Sequence, residues 1–221
     1  MPEIMNPGER HIACVILVDT SGSMSGEPIN ELNEGLRAFG EALQSDGYAA
    51  GVADVCVINF STQVTVEVPF CTASEYVPPV LSTSGLTAMN EAIITGLDAL
   101  DQRKMEYKQT GTDYYRPWMF LLTDGVPTDD EYEAAARQRL QEALAQKKVN
   151  FFPMGIGNGV DVNHLKSYTL NQSGPILRAD KNHFREAFVW LSSSMSVVSH
   201  SQPGQNKLEL PPTPPTLTID L

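Results

Sequence analysis

With 221 residues, 42% of them hydrophobic and 19% charged, the chain has the size and apolar content of one α/β domain with a tail. A formal net charge of −12, with no cluster of lysine or arginine, argues against a nucleic-acid backbone as partner. No run of about eighteen apolar residues occurs, so no membrane-spanning helix is expected.

The N-terminal MPEIMNPGER is polar, with no basic region leading into an apolar stretch, so no secretory signal is expected. None of the three cysteines sits in a CxxC pair, and Cys14 and Cys56 fall inside apolar runs as small buried hydrophobes do. A reducing, cytoplasmic setting is the expectation.

The first predicted strand, His11 to Thr20, is nearly continuous in Ala, Val, Ile and Leu, the pattern of a parallel strand buried on both faces. A loop of hydroxyls and glycines, TSGSMSGEP, follows. Pro28 then suits the first turn of a helix whose apolar face is Ile29, Leu32, Leu36, Phe39 and Leu43. Ala53 to Phe60 predicts a second strand, and Val64 to Val68 an antiparallel edge partner joined to it by a tight turn. After a loop rich in Pro, Ser and Thr that ends in STSGLT, Met89, Ile93, Leu97 and Leu100 mark one face of another helix.

PWMFLLTDG repeats the opening pattern of a buried strand ending on a polar residue and an aspartate. A helix over 131–147, a strand from Val149 to Gly155, a short helix over Val162 to Leu170 and a strand near Ile176 come next. The last helix carries Phe184, Phe188, Leu191, Met195 and Val198 on one stripe, with Trp190 among its core aromatics. This alternation predicts a Rossmann-like, doubly wound α/β fold: a mostly parallel central sheet with one antiparallel edge strand and helices on both faces. Residues 1–9 read as an N-terminal extension, 10–198 as the domain and 199–221 as a Pro-rich flexible tail. Within that tail, Thr213 and Thr216 of PPTPPT are candidate acceptors for a kinase.

Function in doubly wound folds gathers at the carboxyl ends of the strands, where strand order reverses. Three separate loops offer matching chemistry there: Asp19, Ser21 and Ser23 after the first strand, Thr87 at a helix start, and Asp124 after the PWMFLLT strand. All five donors are oxygens, with no imidazole or thiolate, which suits a hard ion such as Mg²⁺, or Mn²⁺ or Ca²⁺, over zinc or copper. Taken singly, the first loop is also an ordinary Ser/Gly turn, Thr87 a helix cap, and Asp124 a turn former.

Together, D-x-S-x-S at Asp19-Ser21-Ser23, the threonine of SGLTAMNEAI and the aspartate of LLTDGVPTD resemble the metal-ion-dependent adhesion site of von Willebrand factor A domains. The resemblance covers roughly residues 10 to 198. Within that superfamily, VDTSGSMSGEPI and HFREAFVWLSSSMSVVS resemble bacterial TerY-type proteins associated with tellurium resistance. The resemblance implies a metal-dependent interaction module rather than an enzyme. Ser21 and Ser23 would be direct ligands, Thr87 direct or through water, and Asp19 and Asp124 largely through water. It also implies a protein partner that supplies a Glu or Asp to the ion, in a bacterial stress-response assembly with a protein kinase and phosphatase. Met24, Ser25, Glu27, Leu86, Gly125 and Pro127 are expected to face that partner.

The competing reading is a Mg²⁺-dependent phosphohydrolase with Asp19 as nucleophile. Such chemistry wants a second carboxylate two residues later as acid and base, where this chain has Ser21. A P-loop is excluded because its lysine is absent, and GSMSG lacks a serine at its centre. The four histidines, His11, His164, His183 and His200, show no ligand spacing, and Asp129-Asp130 are expected to favour a helix N-terminus.

Overall fold

A computed structural model describes residues 4–157, 159–181, 184–201 and 209–220. The apolar run of the first motif forms β1 (Ile12–Asp19), every residue of which is buried. It lies mid-sheet between β2 (Ala53–Phe60) and β4 (Trp118–Thr123), parallel to both. Outside these come β3 (Val64–Thr72) on one side, and β5 (Asn150–Ile156), β6 (Ile176–Ala179) and β7 (Leu217–Asp220) on the other. Among the described residues the sheet has seven strands in the order β3-β2-β1-β4-β5-β6-β7, with β3 and β7 antiparallel to their neighbours. Strand order therefore reverses between β1 and β4.

Alternate residues of β1 serve opposite layers, as a strand's period of two requires. Ile12, Cys14, Ile16 and Val18 pack with α1 (Glu27–Ser45), α2 (Gly47–Val52) and α6 (Arg185–Ser199). Ala13, Val15 and Leu17 pack with α3 (Met89–Thr110), α4 (Asp130–Ala145) and α5 (Val162–Lys166). Pro28 sits in the first turn of α1, behind Gly26 at φ +89°, a left-handed entry that favours glycine.

Helices α1 and α6 pack closely because α1 carries glycine at the contact. A Cβ on Gly35 would stand 2.4 Å from Cδ2 of Phe188, whose ring is fully buried and edge-on to Phe120. Alanine gains up to about 1 kcal/mol of helix propensity over glycine, but a clash with an immobilised ring costs more. Gly35→Ala is expected to destabilise the fold by roughly 1–3 kcal/mol. A lower urea midpoint checks this, and an unchanged or higher midpoint would show that Phe188 yields freely.

Three sequence expectations change. α2 was not expected; it forms because Asp46 accepts hydrogen bonds from the backbone N–H of Tyr48 and Ala49, both at 3.1 Å. The helix expected over 162–170 stops at Lys166, and Asn171 and Gln172 then turn the chain at φ +55°. The segment expected as a flexible tail contains a second antiparallel edge strand. Its β7 pairs Leu217 with Ala179 and Asp220 with Ile176, while Trp190 Nε1 donates to the carbonyl of Pro211 at 2.9 Å. Thr213 and Thr216 are half-buried there, and the Thr216 hydroxyl donates to Glu186. Residues 202–208 lie outside the described residues.

At the amino end of β2, a polar cluster is sealed inside the protein. Asp54 is fully buried; its Oδ2 meets His11 Nδ1 at 2.9 Å and Arg103 Nη2 at 3.1 Å, and accepts from the Tyr107 hydroxyl. Its Oδ1 accepts from Thr72 at 3.3 Å. Arg103 also reaches Glu106 at 2.9 Å and lies over the rings of Phe70 and Tyr107. Burial pushes the Tyr107 hydroxyl well above its ordinary pKa, and the Asp54 charge adds to the shift. His11 is thus a core group in an ion-pair network.

Candidate metal site

The carboxyl ends of β1 and β4 emerge side by side, and each ends in the chemistry that its motif suggested. Asp19, the last residue of β1, has no exposed surface. Its Oδ1 accepts the Ser21 backbone N–H at 2.8 Å, and its Oδ2 accepts the Thr123 hydroxyl, from the end of β4, at 2.6 Å. Burial pushes the Asp19 carboxyl up, and nearby Asp124 adds to this, while the Ser21 and Thr123 hydrogen bonds pull it back. A metal-free carboxylate here is electrostatically uncomfortable.

The hydroxyl loop closes over this pair. Ser21 Oγ lies 3.0 Å from Ser23 Oγ, and Ser23 Oγ donates to Asp124 Oδ1 at 2.6 Å. Asp19, Ser21, Ser23 and Asp124 thus form one continuous polar path. The loop is held in place by Met24, whose side chain is fully buried in the core layer shared with α1 and α6. Backbone bonds fix the remaining loops: Gly22 N–H to the Gly85 carbonyl at 3.2 Å and Ser84 N–H to the Thr20 carbonyl at 2.8 Å.

Thr87 belongs to the same lip. Its N–H donates to Thr128 Oγ1 at 3.0 Å and its carbonyl accepts the Thr128 N–H at 2.9 Å, which ties its loop to the one that carries Asp124. A Cβ on Gly125 would stand 4.0 Å from Thr87 Oγ1. Thr87 does not cap α3. Asp129 does so from across the site, accepting the Glu91 N–H at 2.8 Å, the Asn90 N–H at 3.3 Å and Asn90 Nδ2 at 3.0 Å. The acidic pair thus stands at two helix starts: the Asp129 side chain caps α3, and Asp130 lies in the first turn of α4, where the pair was expected. Among the described residues the Thr87 hydroxyl makes no hydrogen bond, so it is available as a ligand.

The expected partner face needs correction. Met24 and Pro127 are buried and offer a partner no surface; Met24 packs into the core beneath its loop. Ser25 and Glu27 are exposed, Gly125 is half-buried, Leu86 is 58% exposed, and Val126, next to Gly125 and not singled out from the sequence, is 48% exposed. Leu86 and Val126 thus leave apolar surface exposed on the loops that carry Thr87 and Asp124.

Sequence reasoning also missed Lys181. It follows β6, packs its stem over Gly157 and places Nζ 3.0 Å from Asp124 Oδ2. His183 lies outside the described residues. The donor set suits a hard cation because all five candidates are oxygens; among the described residues no three His, Cys, Asp or Glu side chains converge as a metal site of any kind.

Comparison with known proteins agrees with this architecture. The von Willebrand factor type A domain model matches residues 14–187. Inter-alpha-trypsin inhibitor heavy chain H3 of Bos taurus is 25% identical over 72% of the chain, and heavy chain H1 of Mesocricetus auratus is 22% identical over 76%. In both cases the chain spans only 18% of the relative's length. Among solved structures, the open conformation of the pilus adhesin SpaC from Lactobacillus rhamnosus GG has a TM-score of 0.67 at 15% identity, covering 89% of this chain and 31% of that one. A von Willebrand factor type A protein from Catenulispora acidiphila has a TM-score of 0.63 at 16% identity, covering 86% of this chain and 43% of that one. Proximal thread matrix protein 1 from the mussel byssus, described with a zinc-occupied MIDAS motif, has a TM-score of 0.56 at 17% identity, covering 85% of this chain and 48% of that one. These structures share the fold, and the family match runs from within β1 to α6 across both strand ends of the site. The chain belongs to the von Willebrand factor type A domain family.

Proposed function

We propose that this domain is a metal-dependent protein-binding module, with Ser21, Ser23 and Thr87 as ligands of Mg²⁺ and Asp19 and Asp124 acting largely through water. The observation that carries this reading is the hydrogen-bonded path from Asp19 through Ser21 and Ser23 to Asp124 across the switch point between β1 and β4. When bound, the ion supplies an electron-poor centre for one further anionic ligand, for which a Glu or Asp of the partner is the natural candidate. Neutral hydroxyls as ligands would leave most of the ion's charge available to the partner, and buried Asp19 orients Ser21 through its N–H. Leu86 and Val126 give the partner an apolar contact beside that charge.

Mn²⁺ or Ca²⁺ fits the same donors. The zinc described for the mussel relative's site makes zinc the competitor to test here. On the TerY resemblance, the partners we propose are proteins of a bacterial, cytoplasmic stress-response assembly, a kinase and a phosphatase among them. Among the described residues no helix is long and apolar enough to cross a membrane.

The phosphohydrolase reading is weaker. Both oxygens of Asp19 are engaged by Ser21 and Thr123, and Ser21 stands where the acid-base carboxylate is needed.

Calorimetric titration with Mg²⁺ and Mn²⁺ tests the proposal. Thr87→Ala is expected to weaken binding at least about tenfold while leaving the metal-free melting temperature unchanged. Equal affinity in both proteins, or no saturable binding, overturns it.

A further inference from the structure

Resting on that reading, we propose that Lys181 sets the charge of the metal site: it holds Asp124 in the metal-free protein and leaves the loaded site with a positive charge in excess. The ion pair is well placed for this. Asp124 is 1% exposed at its side chain, and its two oxygens are divided between Ser23 on one side and Lys181 on the other. The lysine arrives from a different strand end, beyond β6, and cannot be accounted for by local sequence.

Its approach is built into the backbone. Gly157 closes β5 at φ +73°, and a Cβ there would stand 2.8 Å from both Cγ and Cε of Lys181. Any other residue at 157 would obstruct the stem and strain the turn. The amine itself stays accessible, since the lysine side chain is 43% exposed. It can therefore serve Asp124 without being desolvated.

Two consequences follow from charge alone. Without a cation, Lys181 relieves the repulsion between Asp19 and Asp124 and competes with any divalent ion for Asp124. With a divalent ion bound, the formal charges of the ion and the two carboxylates sum to zero, so Lys181 leaves the site as a whole with one positive charge in excess. Metal affinity is thus lowered, while affinity for an incoming carboxylate is raised. The lysine makes the loaded site an anion receptor.

Mn²⁺ titration followed by acetate titration of the Mn²⁺-loaded protein, read by calorimetry and by water-proton relaxation, tests this. Lys181→Met keeps the stem over Gly157 and removes the charge. It is expected to bind Mn²⁺ about tenfold more tightly and acetate more weakly, because one unit charge beside a divalent ion in a well-screened site changes affinity by about that factor. Lys181→Arg is expected to behave like the parent protein. A purely structural role would move both affinities in the same direction. Equal or weaker Mn²⁺ binding by Lys181→Met overturns the inference and leaves the metal site standing. Tighter Mn²⁺ binding with unchanged acetate affinity overturns the anion-receptor half. Absence of Mn²⁺ binding in every protein overturns the metal reading itself and this inference with it.

Discussion

Asp54→Ala is expected to cost the fold about 3–5 kcal/mol, the usual penalty for removing one partner of a buried charge pair. Asp54 is the acceptor at which His11, Arg103, Tyr107 and Thr72 converge, and it is fully buried. Its loss leaves the Arg103 guanidinium inside the protein with Glu106 as its remaining ion-pair partner. Tyr107 and His11 lose their shared acceptor at the same time. Asp54→Asn keeps the volume and one acceptor and is expected to cost less than alanine. Urea denaturation of both variants measures the difference; a loss below about 1 kcal/mol for Asp54→Ala would show that the cluster is only packing. The cluster sits at the amino end of β2, and the candidate metal site lies past the carboxyl ends of the strands. Folded Asp54→Ala is therefore expected to bind Mn²⁺ as the parent does.

Asp19→Asn is expected to do the opposite, losing metal and keeping the fold. An asparagine Oδ1 can still accept the Ser21 N–H, and its Nδ2 can face Thr123, whose hydroxyl then turns from donor to acceptor. What disappears is a negative charge that burial disfavours and that Asp124 repels. Mn²⁺ affinity should fall by about a hundredfold, at the upper end of the range for losing a group that orients metal ligands. The metal-free melting temperature should stay level or rise, since a site built for a cation is strained without one. Calorimetry and thermal melts with and without Mn²⁺ read both effects. Retained affinity, or a fold that collapses, would remove Asp19 from the role given to it.

The sheet was legible in the sequence where strands are buried on both faces. ACVILV and MFLL leave no room for an amphipathic helix of that length, and the apolar stripes of α1 and α6 repeat at helical spacing. β7 was not legible, because LTID is four residues long and half exposed, and it follows a proline cluster that reads as extended chain. The five candidate ligands could be named because each stands at a strand end or helix start. Their supports could not. Asp129 caps a helix that begins about forty residues earlier, and Lys181 reaches Asp124 from another strand end, so both depend on sheet order. Met24 was misplaced because a single apolar residue in SGSMSG reads as part of a polar loop, yet it is the loop's anchor.

β6 is only four residues long, and β7 lies along its outer side. A bare strand there would offer its free amides and carbonyls to any extended chain, including another copy of itself. β7 covers that side of β6 and becomes the last strand itself, so the open border of the sheet is moved outward rather than removed. Because Leu217 pairs with Ala179, two residues before Lys181, this border runs up to the end of the molecule that carries Asp124.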